Sequence, residues 1–80
     1  MGKQKPQHAF GLVVRELRLG REITQEGLAD EAKLHRTYIS LLERGLRNPS
    51  LTVIQQIANA LDVSMSELIA AFENRSQKGS

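Results

Sequence analysis

Eighty residues without a cysteine rule out a disulfide framework and a thiolate metal site. A chain of this length hides only about 60% of the surface its unfolded form exposes, which leaves little room for a large buried catalytic cavity. The apolar residues are dispersed, with no unbroken run of about 18 to span a bilayer and no charged-then-apolar leader, so the expectation is one soluble domain in a reducing cytoplasm. The formal charge of +2 is uneven: nine Lys or Arg stand against six acids from Met1 to Arg47, and two against three beyond it. That polarity suits a protein with one anion-facing side.

In chain order, residues 1–8 (MGKQKPQH) are polar, basic and broken by Pro6, and read as a flexible arm. From Ala9 the spacing of Phe10, Val13, Val14 and Leu17 predicts a helix to about Leu19, with Arg15, Arg18 and Arg21 on its other faces, solvated or paired with Glu16 and Glu22. Ile23-Thr24 places a hydrophobic residue before a hydroxyl cap, and Gln25, Leu28, Ala29 and Ala32 carry a short second helix. A third helix spans Arg36 to Arg44, with His35 near its cap position and Gly45 able to end it in the left-handed conformation. Pro49 prevents its continuation. Ser50 caps a fourth helix whose inner face is Leu51 or Val53, then Ile54, Ile57, Ala58 and Leu61. Ser64-Met65-Ser66-Glu67 matches the capping box and opens a fifth helix through Leu68, Ile69 and Phe72. Residues 74–80 read as a flexible tail. The fold class is therefore all-α, five helices over residues 9–73, with no strand expected.

The informative pair is helices two and three. Two helices of about eight residues joined by three or four can share a core only by crossing steeply, as in a helix-turn-helix. Ala29 belongs at the crossing, Ala32, Leu34, Ile39 and Leu42 supply the contacts, and Leu28 lies beneath. The first turn of the second helix of the pair then projects outward, and that end enters a major groove.

The run TQEGLADEAKLHRTYISLLERGLRNPSL resembles the helix-turn-helix of the lambda-repressor-like (Cro and xenobiotic-response-element) DNA-binding family, and the similarity extends from FGLVVRELR to LDVSMSELI. Within that family, RTYIS followed by ERG and NPS resembles the controller proteins of restriction-modification systems. The resemblance implies base contacts from Arg36, Thr37, Ser40 and Leu41, where an arginine pairs with guanine O6 and N7 and apolar groups touch a thymine methyl. It implies phosphate contacts from Gln25, Tyr38, Arg44, Arg47 and Asn48. Lys33 stands where the family usually has a glycine, at a steric cost of roughly 1 kcal/mol or more in a left-handed turn. His35 replaces a small hydroxyl residue at the cap, and its imidazole is a further phosphate contact.

Tyr38 has two readings open, core-edge packing and phosphate contact. Ile69 and Phe72 are either the core of helix five or, with Val53, Leu61 or Met65, an isologous homodimer interface that sets two recognition helices about 34 Å apart on near-palindromic double-stranded DNA. His8 and His35 have no cysteine or acidic ligand pattern beside them, so no metal and no cofactor are expected. Ser64 and Ser66 read as caps, and no base, nucleophile and oxyanion donor converge, so no enzyme is expected. The expected function is a dimeric, sequence-specific transcriptional regulator, a controller protein or phage-type repressor. The alternative is a protein-interaction module such as an antitoxin-like domain.

Overall fold

A computed structural model describes residues 5–78. It contains five helices, α1 (Pro6–Gly20), α2 (Gln25–Ala32), α3 (Arg36–Glu43), α4 (Leu51–Ala60) and α5 (Met65–Lys78), and no strand among the described residues. Helix α1 packs on α3 and α5, α2 on α3 and α4, and α4 on α5. Each helix contributes to one core: Val14, Leu28, Ile39, Leu42, Ile57, Leu61 and Leu68 are fully buried, with Phe10, Val13, Ala29 and Ala32 closing around them.

Two boundaries differ from the sequence reading. Helix α1 starts at Pro6, so residues 6–8 of the expected arm are helical; residues 1–4 lie outside the described residues. Proline is at home there, since its fixed φ suits the first helical position and it has no amide to leave unpaired. At the other end α5 continues through residues 74–78, because Ala71 and Phe72 pack against the core and Arg75 then pairs with Glu16 of α1. That exposed pair adds at most about 1 kcal/mol, but it holds the helix along α1 for another turn.

The joints share one device. After α1, α2, α3 and α4 the chain passes through Glu22, Lys33, Gly45 and Asp62 with φ of 59°, 60°, 78° and 59°. Each joint closes with paired main-chain bonds, for example Leu34 to the Ala29 carbonyl at 2.9 Å and Lys33 to that of Asp30 at 3.2 Å. This is the Schellman arrangement, which satisfies carbonyls left open at a helix end. The following residue is apolar every time: Ile23, Leu34, Leu46 and Val63. The opposite ends are capped by side chains. Thr24 accepts from Gly27 at 2.9 Å and Ser50 from Val53 at 3.2 Å. Ser64 and Glu67 form the reciprocal capping box at 2.8 and 3.0 Å.

The first turns of α1 cross α3 at backbone distance. A β-carbon on Gly11 would stand 2.3 Å from the Leu42 carbonyl oxygen, so glycine is required for want of space. A few residues along, Arg18 and Glu43 form a buried ion pair, Nε to Oε2 at 2.7 Å and a second guanidinium nitrogen to Oε1 at 3.0 Å. The third guanidinium nitrogen donates to the Ile23 carbonyl at 2.9 Å, and Gln25 Nε2 donates to Glu43 Oε1 at 3.0 Å. The neighbours expected for these arginines, Glu16 and Glu22, are thus not Arg18's partners; a carboxylate 25 residues away is.

Two stability predictions follow from this geometry. Gly11→Ala should lower the unfolding free energy by about 2–3 kcal/mol, because the backbone of α3 has to shift. Gly20→Ala, whose β-carbon meets nothing within 4 Å, should be neutral or stabilising by up to about 1 kcal/mol; urea titrations of both variants compare them directly. Arg18→Met alone leaves a carboxylate buried without a cation and should cost about 3–5 kcal/mol, whereas Arg18→Met with Glu43→Met should recover most of that loss in the same assay.

Candidate nucleic-acid interface

Helix α3 is amphipathic in a way that leaves one face for recognition. Ile39 and Leu42 are fully buried and hold the inner face against the core. Arg36, Ser40 and Arg44 follow one another at four-residue spacing, and Thr37 and Leu41 run alongside them. His35, Arg36, Thr37 and Arg44 are exposed, and Ser40 and Leu41 are half-buried. The single acid of α3 is Glu43, which is turned inward and neutralised by Arg18. The outward face consequently carries cationic and hydroxyl groups and no carboxylate.

The start of α3 is held by the joint before it. Lys33 adopts φ 60° and ψ 43°, the left-handed conformation expected at this position. Gln56 of α4 donates its side-chain amide to the Ala32 carbonyl at 2.8 Å. His35 occupies the cap position with extended backbone but makes no capping hydrogen bond, so its imidazole is left free at the exposed tip. The end of α3 is fixed by Gly45, by Leu46 donating to the Leu41 carbonyl at 2.9 Å, and by the Glu43–Arg18 pair.

Around this face the structure distributes the other candidates unevenly. Gln25 is the first residue of α2, where its main-chain amide adds to the positive end of the helix, but one side-chain N–H is committed to Glu43. A second N–H of that amide remains. Tyr38 is half-buried and packs against the core; desolvation raises its phenol above the ordinary tyrosine range, an effect that the nearby Arg47 charge partly opposes. The phenol is therefore a neutral donor at physiological pH, carried on a ring that packs against the core. Arg47 is exposed and donates to the Leu46 carbonyl at 3.0 Å. Asn48 is exposed and lies at the rim of a shallow cavity.

That cavity, about 120 Å³, is lined by Pro6, Gln7, Phe10, Asn48, Pro49, Ile54, Ile69 and Phe72. It brings together two of the residues expected at a subunit interface, Ile69 and Phe72. Ile69 is 39% exposed, while Phe72 meets Phe10 edge to face with ring centres 6.2 Å apart. Leu61 requires a correction: it is fully buried as the cap residue of α4, inside the chain's own core, and cannot meet a partner. Val53 and Met65 are half-buried against the core and do not line the cavity. Leu51, offered as an alternative to Val53 on the inner face of α4, is instead 74% exposed at the first position of that helix, and Val53 is the one that packs against the core. The place of Leu51 directly after a cap serine, where the helix has not yet turned toward the core, was the available signal.

A second shallow cavity, about 210 Å³, lies between α1 and α5 and is lined by Val13, Glu16, Leu17, Ala71, Asn74 and Arg75. Among the described residues no three His, Asp or Glu side chains stand close enough to hold a metal ion, and no helix is long and apolar enough to cross a membrane.

Comparison with known proteins agrees with this geometry. The helix-turn-helix family pattern matches residues 14–68. Control protein C.BamHI of Bacillus amyloliquefaciens is 51% identical over 61 residues, which are 75% of this chain and 75% of that protein. The crystal structure of the restriction-modification controller protein C.AhdI from Aeromonas hydrophila superposes with a TM-score of 0.76 at 44% identity, covering 78% of this chain and 94% of that one. The controller protein C.Esp1396I, solved as a tetramer in complex with its natural 35-base-pair operator, superposes with a TM-score of 0.86 at 29% identity over 94% of this chain and 99% of that one. With a family match over residues 14–68 and 51% identity to a control protein over 75% of both chains, this chain belongs to the helix-turn-helix family and is akin to the restriction-modification control proteins.

Proposed function

We propose that this protein is a dimeric, sequence-specific transcriptional regulator that seats the Arg36–Leu41 segment of α3 in successive major grooves of a near-palindromic operator. The observation that carries this reading is the composition of α3's outer face: Arg36, Thr37, Ser40 and Leu41 project from it, while its one acid is buried against Arg18. A carboxylate left on that face would repel the phosphate walls of the groove. Arg36 reads guanine by paired hydrogen bonds, Thr37 and Leu41 contact thymine methyls, and Ser40 bonds a base edge. Gln25, His35, Tyr38, Arg44, Arg47 and Asn48 contact phosphates and set the register without reading sequence.

A homodimer follows from the apolar surface around the shallow cavity. Ile54, Ile69, Phe72 and Pro49 form a patch that a second copy covers by the same patch, as a two-fold interface requires. The tetramer of C.Esp1396I on its operator supports binding of DNA by more than one copy. The protein acts in the cytoplasm, where its DNA is, and performs no catalysis. Its output is set by concentration, since dimers fill neighbouring sites.

Selection of bound duplexes from a random pool tests the reading: one enriched motif with two half-sites about one helical turn apart is expected. Enrichment of no motif at physiological salt would sink it, and would turn attention to a protein partner. On the enriched duplex, Arg36→Ala should weaken binding by about 5- to 150-fold, equivalent to about 1–3 kcal/mol, and relax the preference at one base pair. Arg47→Ala should instead weaken selected and random duplexes alike and lower the slope of log affinity against log salt by about 1. Ile69→Asp should convert the dimer to a folded monomer in sedimentation equilibrium, with circular dichroism unchanged, because Ile69 is already partly exposed in the single chain.

A further inference from the structure

We infer that Gln56, which lies on α4 outside the two-helix motif, is a positioning residue for base reading: its side-chain amide clamps the Ala32 carbonyl and so holds the Lys33 turn that aims α3. This inference rests on the reading that α3 meets DNA bases. It concerns a half-buried residue whose side-chain bond is to the backbone of the turn.

The need for a clamp comes from the end of α2. Its Schellman bonds satisfy the Ala29 and Asp30 carbonyls through the amides of Leu34 and Lys33, which leaves the last carbonyls of the helix without main-chain partners. Ala32 is only 2% exposed, so water has poor access, and an unpaired carbonyl in such a place costs free energy. Gln56 Nε2 meets it at 2.8 Å. The neighbouring residues on α4, Ile57 and Ala58, are core residues, so an apolar side chain at position 56 would pack well enough but would leave the carbonyl unanswered.

The same bond has a mechanical consequence. Lys33 occupies the left-handed region without being glycine, a conformation disfavoured by the contact between its β-carbon and the backbone. Only Leu34 and His35 separate it from the first residue of α3. A change in the Lys33 dihedrals therefore swings the start of α3, which carries Arg36 and Thr37, while the far end stays held by Glu43 on Arg18. Base contacts demand directed hydrogen bonds and suffer from such a swing, whereas phosphate contacts tolerate it. On the other flank of α2, Arg18 holds the Ile23 carbonyl at 2.9 Å, so side chains from α1 and α4 fasten the joints at both ends of this helix.

The experiment uses the full chain and the duplex enriched by selection, with a random duplex of equal length beside it. Gln56→Met keeps the length of the side chain and removes the donor; Gln56→Lys keeps a donor; Lys33→Gly removes the steric strain that the clamp opposes. Gln56→Met should lower the ratio of selected to random affinity by about 2- to 10-fold, the equivalent of one neutral hydrogen bond, and should speed amide exchange at Lys33 and Leu34. Gln56→Lys should restore the ratio. In the double variant, Lys33→Gly should make the loss from Gln56→Met smaller than it is on the Lys33 background. An unchanged ratio in Gln56→Met, or a parallel fall of both affinities with no faster exchange at the turn, overturns the positioning role and leaves DNA recognition standing. Additive effects of the two substitutions overturn it as well. Failure of the unsubstituted protein to enrich any duplex removes the DNA reading itself, and the inference with it.

Discussion

The Arg18–Glu43 pair is the constraint on which the rest of this small protein depends. Burying two charges is costly, and the attraction between them offsets that cost only if the remaining donors and acceptors are also satisfied. Here each guanidinium nitrogen has a partner: the guanidinium meets the carboxylate through two nitrogens and the Ile23 carbonyl through the third, and Gln25 adds a donor to the carboxylate. One cluster of polar groups thus joins α1, the joint before α2, the first residue of α2 and the last residue of α3. An apolar contact of similar size could slide; a two-nitrogen guanidinium fork has one good geometry. The pair also removes the carboxylate of Glu43 from solvent, and by doing so it determines the sign of the surface that α3 presents.

The joints show how five short helices are fitted into so little chain. Each uses one left-handed residue followed by an apolar one, which turns the backbone sharply and sends it back into the core at once. Glycine fills that position only after α3, where a β-carbon on Gly45 would also come within 2.9 Å of the His8 backbone. Glu22, Lys33 and Asp62 accept strain in the other joints. Strain of roughly 1 kcal/mol or more at each site is a considerable share of the stability available to an 80-residue domain, so the packing and hydrogen bonds around the joints must offset it. The joint at Lys33 is the one that leads directly into α3, with only Leu34 and His35 between the left-handed residue and the helix.

The two faces of the molecule solve opposite problems. On the α3 side, exposed cationic and hydroxyl groups are arranged on a helix that cannot rotate, since Ile39 and Leu42 are locked in the core. On the side of the shallow cavity, Phe10 and Phe72 meet edge to face across α1 and α5, yet Ile54 and Ile69 still border the cavity. A domain of this size has too little interior to hide every large apolar group. Ile54 of α4 and Ile69 of α5 are accordingly left at the rim.

The sequence by itself determined the helices, their caps and the outward stripe of α3. Capping at Thr24, Ser50 and Ser64 depends on hydrogen bonds between residues three apart, and the outward stripe of α3 depends on four-residue spacing; both are local and legible without coordinates. It also located the strained turn at Lys33. The start of α1 at Pro6 and the length of α5 escaped because composition made both ends look unstructured, whereas a proline at the first helical position and packing against α1 sustain them. Only the tertiary structure decided which charges are paired and which apolar groups remain outside. Arg18 and Glu43 lie 25 residues apart, Gln56 and Ala32 24 apart, and Leu61 and Leu51 look equally apolar in the chain although one is sealed in the core and the other stands in solvent. Periodicity assigns a residue to a face of its own helix, but the docking of one helix on another determines what that face meets.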